Sequence, residues 1–169
     1  MLFAGQTIDY ILPKRLSLIE DIVENIEADE LQTRTNEQLF EYFDEVFIDL
    51  VELSSPVELE TNETDDGTLY IYSIPLTGDS EILSYKHVTD RPDKHHPLNG
   101  EIKSSHILHS FLLPKGESPN IVDSFVNKWF YEIEDELRPL NVFIEQKGYN
   151  KLIRENIIGQ LNSRRSSFS

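Results

Sequence analysis

Ser54-Ser55-Pro56 divides this chain where its apolar residues change period. Before it, apolar side chains recur at every third or fourth position, and after it at every second. The longer spacing buries one stripe of a helix, and the shorter buries one face of a strand. The longer period returns after Pro114, so helices flank a block of strands. Strands gathered in one block, without alternating helices, predict an α+β fold on an antiparallel sheet. At 169 residues and 38% apolar content, the chain can bury a substantial core. One domain is expected over residues 1–165, with 166–169 fraying.

The first block predicts two acidic helices across 16–53. Leu16, Ile19, Ile22, Val23 and Ile26 share one face, and Ser17 with Glu20 fits a capping box. Thr35 with Gln38 fits a second box. It precedes the stripe Leu39, Phe43, Val46, Phe47, Leu50 and Val51, which Ser54 to Pro56 should end. From 56 to 113 the pattern predicts an antiparallel meander of four or five strands. Val57 and Leu59 alternate with Glu58 and Glu60, and Asp66-Gly67 marks a hairpin turn. In "LYIYSIP", Leu69 and Ile71 oppose Tyr70, Tyr72 and Ile74. "EILSYKHV" reads as the next strand, and "HILHSFLLP" as the last.

The closing block predicts helices over 119–163. Ser118 suits an N-cap, with Pro119 at the first helical position. Ile121, Phe125, Trp129, Ile133 and Leu137 form a stripe expected to pack on one face of the sheet. Pro139 should kink or interrupt that helix. Leu140, Phe143, Ile144, Leu152, Ile153, Ile157 and Leu161 resume the helical spacing, weakened by Gly148 and Gly159.

The net charge of −16 is concentrated early in the chain. Residues 1–66 hold 18 acidic and 3 basic side chains, a net of −15, whereas 67–169 hold 13 and 12. Such an excess repels phosphate backbones, so direct nucleic-acid binding is not expected. Three readings remain. The carboxylates form a solvated surface that aids solubility, or they dock a basic protein partner or domain, or they mimic DNA along Glu20–Glu27 and Glu41–Asp49. With no cysteine, disulfides, thiolate nucleophiles and cysteine zinc sites are excluded. No run of roughly 18 apolar residues predicts a membrane span. The first residues lack a basic, then apolar, export signal, so a cytoplasmic protein is expected.

Little of the sequence points to catalysis. His95 and His96 are adjacent, His87 is isolated, and His106 and His109 stand at an odd spacing that places them on opposite faces of a strand. No Gly-x-Ser-x-Gly elbow or glycine-rich phosphate loop occurs. Glu145 and Lys147, in "NVFIEQKGYN", match the Glu-x-Lys of Mg²⁺-dependent nucleases, which present it on a strand beside an Asp carboxylate. The nearest Asp residues, Asp123 and Asp135, fall in helical pattern, and only 22 residues follow Lys147. A helix is therefore the expected setting of this pair. No catalytic, cofactor or metal residues are assigned.

"IEQKGYNKLIRENIIGQLNSRR" resembles a closing helix in the N-terminal region of uncharacterised bacterial proteins that can carry a PD-(D/E)xK-type nuclease-like domain downstream. Asn150, Ile153, Ile157, Arg164 and Arg165 match that pattern, Leu161 stands where it has Ile, and Gly148 belongs to a short insertion. "YSIPLTGDSEILSYKH" resembles the same family's Gly-Asp turn and the strand after it. The resemblance spans about residues 56–165. It implies an N-terminal module of a nuclease-like or defence protein. Its catalytic Glu-x-Lys would lie downstream of this chain, so no catalytic residue is carried over. The expected function is a non-enzymatic protein-interaction or regulatory module, with a protein partner or a missing C-terminal domain. The alternatives are a nuclease using Glu145 and Lys147, or an acidic DNA mimic.

Overall fold

The computed structural model describes residues 1–88 and 97–168 of an α+β protein. Its contacts divide the chain into two compact units, and the domain expected over 1–165 spans both. One unit comprises Met1–Ile8 and Asp49–Phe143, the other Asp9–Ile48 and Ile144–Ser169.

The first unit is built on five antiparallel strands: β1 (Glu52–Leu53), β2 (Val57–Glu63), β3 (Gly67–Thr77), β4 (Glu101–Ile102) and β5 (His106–Pro114). Their order is β1-β3-β5-β4, and β2 pairs with β3 on the edge that β1 continues. Asp66-Gly67 makes the expected hairpin turn. Thr64 Oγ1 donates to the Gly67 carbonyl at 2.7 Å, and a Cβ on Gly67 would lie 2.0 Å from the Leu113 carbonyl oxygen. Only glycine fits that approach. Tyr70, Tyr72 and Ile74 of β3 pair with Phe111, His109 and Ile107 of β5, so these six share one face.

That face is covered by α4 (Asn120–Lys147), whose residues up to Phe143 belong to this unit. The Trp129 ring lies 5.6 Å from Phe111 and 5.2 Å from His109. The buried seam is Val122, Val126, Trp129, Ile133, Leu137 and Leu140, whereas Ile121 and Phe125 are 36% and 44% exposed. The expected stripe thus holds from Trp129 onward and fails before it. Strict four-residue steps drift by about 40° each around a helix, and the real seam corrects this with steps of three. Pro139 does not interrupt α4. It removes one ladder bond, to the carbonyl of exposed Asp135, and the packing of the flanking turns outweighs that loss.

One more expectation is corrected in this unit. "EILSYKHV" is no strand, because Ser80–Ser84 forms a 3-10 turn that buries neighbouring Ile82 and Leu83 together. A strand would send them to opposite faces. The first residues are tied in. Leu2 bridges Leu98, Thr7 bridges Lys86, and Leu2, Phe3 and Ile8 are buried.

The second unit is helical: α1 (Ile11–Asn25), α2 (Ala28–Thr33), α3 (Asn36–Leu39), a 3-10 turn (Phe40–Phe43) and α5 (Tyr149–Ser166). Ile11, Ile19 and Val23 of α1, and Tyr149, Ile153, Ile157 and Leu161 of α5, are buried, and these two helices are in contact. α1 starts well before Ser17, which lies inside it and donates to the Lys14 carbonyl at 2.7 Å, so Ser17 is no cap. Thr35 and Gln38 do form a capping box. The helix it starts is short, however, and the acidic helix expected to reach 53 ends in the turn at Phe43. Gly148, at φ 61°, separates α4 from α5.

Candidate interaction surface

Glu145 and Lys147 lie in the last turn of α4, both exposed. Two positions apart on a helix, they point to different sides, and neither they nor Asp123 and Asp135 belong to a strand. Among the described residues, no group of three or more His, Asp or Glu side chains is placed to hold a metal ion. His106 and His109 take opposite faces of β5, as their spacing requires. His87 packs edge-on, 6.4 Å from Phe143. His95 and His96 lie outside the described residues.

On the covered face, His109, Phe111 and Trp129 form an aromatic cluster, and Trp129 Nε1 donates to the Asn99 carbonyl at 2.8 Å. Burial lowers the His109 pKa, because the charged imidazolium is poorly solvated there. Beside these rings is a groove of about 310 Å³, walled by Leu98, Phe125, Lys128 and Glu132. Tyr72 on the same face donates to Glu58 Oε2 at 3.2 Å. Burial first, then this bond, raises its phenol pKa to about 12.

The opposite face of the sheet presents Leu69, Ile71, Ser73 and Pro75 of β3 beside Leu112, Ser110, Leu108 and His106 of β5. Val57, Glu60 and Asn62 of β2 continue it. Leu69, Ile71 and Leu108 are half-buried, and Leu112 and Val57 are each 49% exposed. A shallow depression of about 560 Å³ there is lined by Met1, Ile71, Glu101, Leu108 and Ser110. Antiparallel sheets often keep one face in water, but that face is then mainly polar. Here leucine and isoleucine occupy its centre, and the charged residues Glu60 and Glu101 stand at its margins.

Of the 18 acidic side chains in residues 1–66, all but half-buried Glu30 are exposed. β2 carries Glu58, Glu60 and Glu63 on an edge where only Asn62 escapes full exposure.

Of the first and last residues of "NVFIEQKGYN", the sequence reading missed Asn141 and gave Asn150 only a place in the family pattern, with no partner. Within the first unit, Asn141 Nδ2 donates to the Val51 carbonyl at 2.8 Å, and its Oδ1 accepts from Val51 N–H at 3.3 Å. Within the second, Asn150 does the same to Ile48, at 2.8 Å for each bond. Also in the second unit, Arg165 Nε and Nη2 donate to the carbonyls of Leu31 and Arg34, at 2.7 and 2.8 Å, closing the end of α2. The one available signal was asparagine's poor helix propensity at helical positions.

The architecture defines the class: an α+β protein with a five-stranded antiparallel sheet. Comparison with family models, curated proteins and solved structures yields no match. Among the described residues, no helix is long and apolar enough to cross a membrane.

Proposed function

We propose that this chain is a non-enzymatic protein-interaction module whose contact surface is the sheet face turned away from α4. The observation that carries this reading is the cluster Leu69, Ile71, Leu108 and Leu112 at the centre of that face, with Leu112 49% exposed. Apolar area removed from water supplies the affinity, at about 25 cal/mol per Å² before the costs of association. Glu60 and Glu101 at the margins of the face favour a partner with a basic rim and speed its approach. The resemblance of residues 56–165 to modules that precede nuclease-like domains supports a basic, nucleic-acid-binding protein or domain as that partner.

The test uses the immobilised chain to capture proteins, and each captured protein is identified, purified and titrated against wild type and Leu112→Glu. The expected result is a partner with a basic surface whose binding weakens with salt and falls about tenfold or more in the variant, as for loss of a buried interface anchor. Equal binding by a folded Leu112→Glu variant would sink the reading. DNA cleavage by the pure chain with Mg²⁺, abolished by Glu145→Ala, would replace it with the nuclease alternative.

A further inference from the structure

We infer that β2 is a strand-addition site that takes an extended segment rich in lysine or arginine. This rests on the reading of the chain as a protein-interaction module and names the contact that such a module makes.

β2 is an edge strand, since its partner β3 is paired on the far side by β5. In an antiparallel ladder, alternate residues of an edge strand direct N–H and C=O away from their neighbour. The only backbone pairing of Val57–Glu63 among the described residues is to β3. These outward groups form a template for one further strand. β2 is also long, at 7 residues, whereas the opposite edge strand, β4, has 2. Its apolar residues are not hidden: Val57 is 49% exposed and Leu59, at the bulge between Glu58 and Glu60, is 58% exposed.

Charge selects the occupant. Glu58, Glu60 and Glu63 lie within the strand, Asp65 and Asp66 follow it, and no basic residue falls between Arg34 and Lys86. A second copy of this strand would set glutamates against glutamates and be repelled. A strand with alternating cationic residues would set its cations beside Glu58 and Glu63, which share one face, and its apolar residues beside Val57 on the other, its amides completing the ladder. Glu58 already accepts hydrogen bonds from part-buried Tyr72 and from Thr61, whereas Glu63, on the same face, accepts from Thr68 at an exposed site, so Glu63 is the residue to vary.

The test is amide hydrogen exchange across β2 in the full chain, with synthetic peptides of about nine residues, a common strand length. One peptide alternates lysine and valine, the second keeps that charge but replaces its central valines with proline, and the third alternates glutamate and valine. The expected result is slowed exchange at alternate amides of Val57–Glu63 with the first peptide only. Binding should weaken with salt and fall about fivefold in Glu63→Lys, the loss of one partly screened charge pair and its replacement by repulsion. Equal protection by the proline peptide would reduce the effect to diffuse charge attraction and overturn the proposal, as would binding that leaves β2 unprotected or no saturable binding. Leu112→Glu separates this from the broader reading. If no peptide protects β2 while Leu112→Glu still loses its protein partner, strand addition alone is wrong. If the variant keeps that partner, the sheet-face reading is wrong.

Discussion

Asn150 holds both backbone groups of Ile48, donating through Nδ2 to its carbonyl and accepting its N–H on Oδ1, each at 2.8 Å. The carboxamide thus does for Ile48 what a neighbouring strand does for a paired residue. Replacing it with alanine leaves an N–H and a carbonyl without partners, a loss of roughly 2 kcal/mol. Asn150→Asp should cost about as much, since it loses the donor and sets a carboxylate against the Ile48 carbonyl. Urea unfolding of Asn150→Ala, Asn150→Asp and wild type checks this, and unchanged midpoints would show that the bracket is dispensable.

Pro139 sits inside an unbroken helix, between buried Leu137 and Leu140. Pro139→Ala restores a ladder bond to the Asp135 carbonyl and removes the ring's clash with the preceding turn. Proline in a helix interior costs up to about 3 kcal/mol relative to alanine. The variant should therefore be more stable by roughly 1–3 kcal/mol, read as a higher thermal midpoint. A lower midpoint would mean that the ring contributes packing not replaced by alanine.

His109 lies 5.2 Å, ring to ring, from Trp129, the chain's single tryptophan, whose fluorescence therefore reports on this site alone. Burial holds the folded-state pKa of His109 below its usual value, so the unfolded chain takes up the proton first as pH falls. The stabilising contribution is complete above the unfolded pKa of about 6.5 and is lost as pH falls through and below it. Wild type should lose more stability between pH about 7 and 5 than His109→Phe. Its Trp129 emission should be quenched with a midpoint below 6.5, the usual histidine value. Matching pH profiles for the two proteins would rule out this role for His109.

Arg165 meets the carbonyls of Leu31 and Arg34 with two different nitrogens, Nε and Nη2. A lysine ammonium is a compact charge that cannot reproduce this fork. Arg165→Lys should therefore recover little of what Arg165→Ala loses, about 1–2 kcal/mol for bonds to a charged donor. Differential scanning calorimetry of both variants tests it, and full rescue by lysine would show that charge alone suffices.

Some local signals in the sequence held, whereas the capping box read at Ser17 and Glu20 lies inside α1. Thr35 and Gln38 box a helix start, Asp66-Gly67 turns a hairpin, and the alternation in "LYIYSIP" sorts β3 into its two faces. The alternation did not reveal which face α4 would cover, so the exposed apolar face was legible as a pattern and not as a surface. The misreading of Phe47 to Val51 as helix has a distant cause. The backbone of Ile48 and Val51 is held by side chains 102 and 90 positions away, and no local window contains those partners. The family resemblance marked Arg165, but not the carbonyls that it reaches.

The division of the chain sets an order of assembly. The helical unit is interrupted in sequence by the whole of the sheet unit, since residues 9–48 precede it and 144–169 follow it. On a ribosome, Ile11, Ile19 and Val23 emerge before the sheet, yet their partner helix, with Ile153 and Ile157, emerges after it. A sheet closed by nearby hairpins can form while that partner is still being made. The helices made before the sheet are thus buried only after it, and translation that stalls before α5 leaves their apolar stripe open to chaperones and to aggregation.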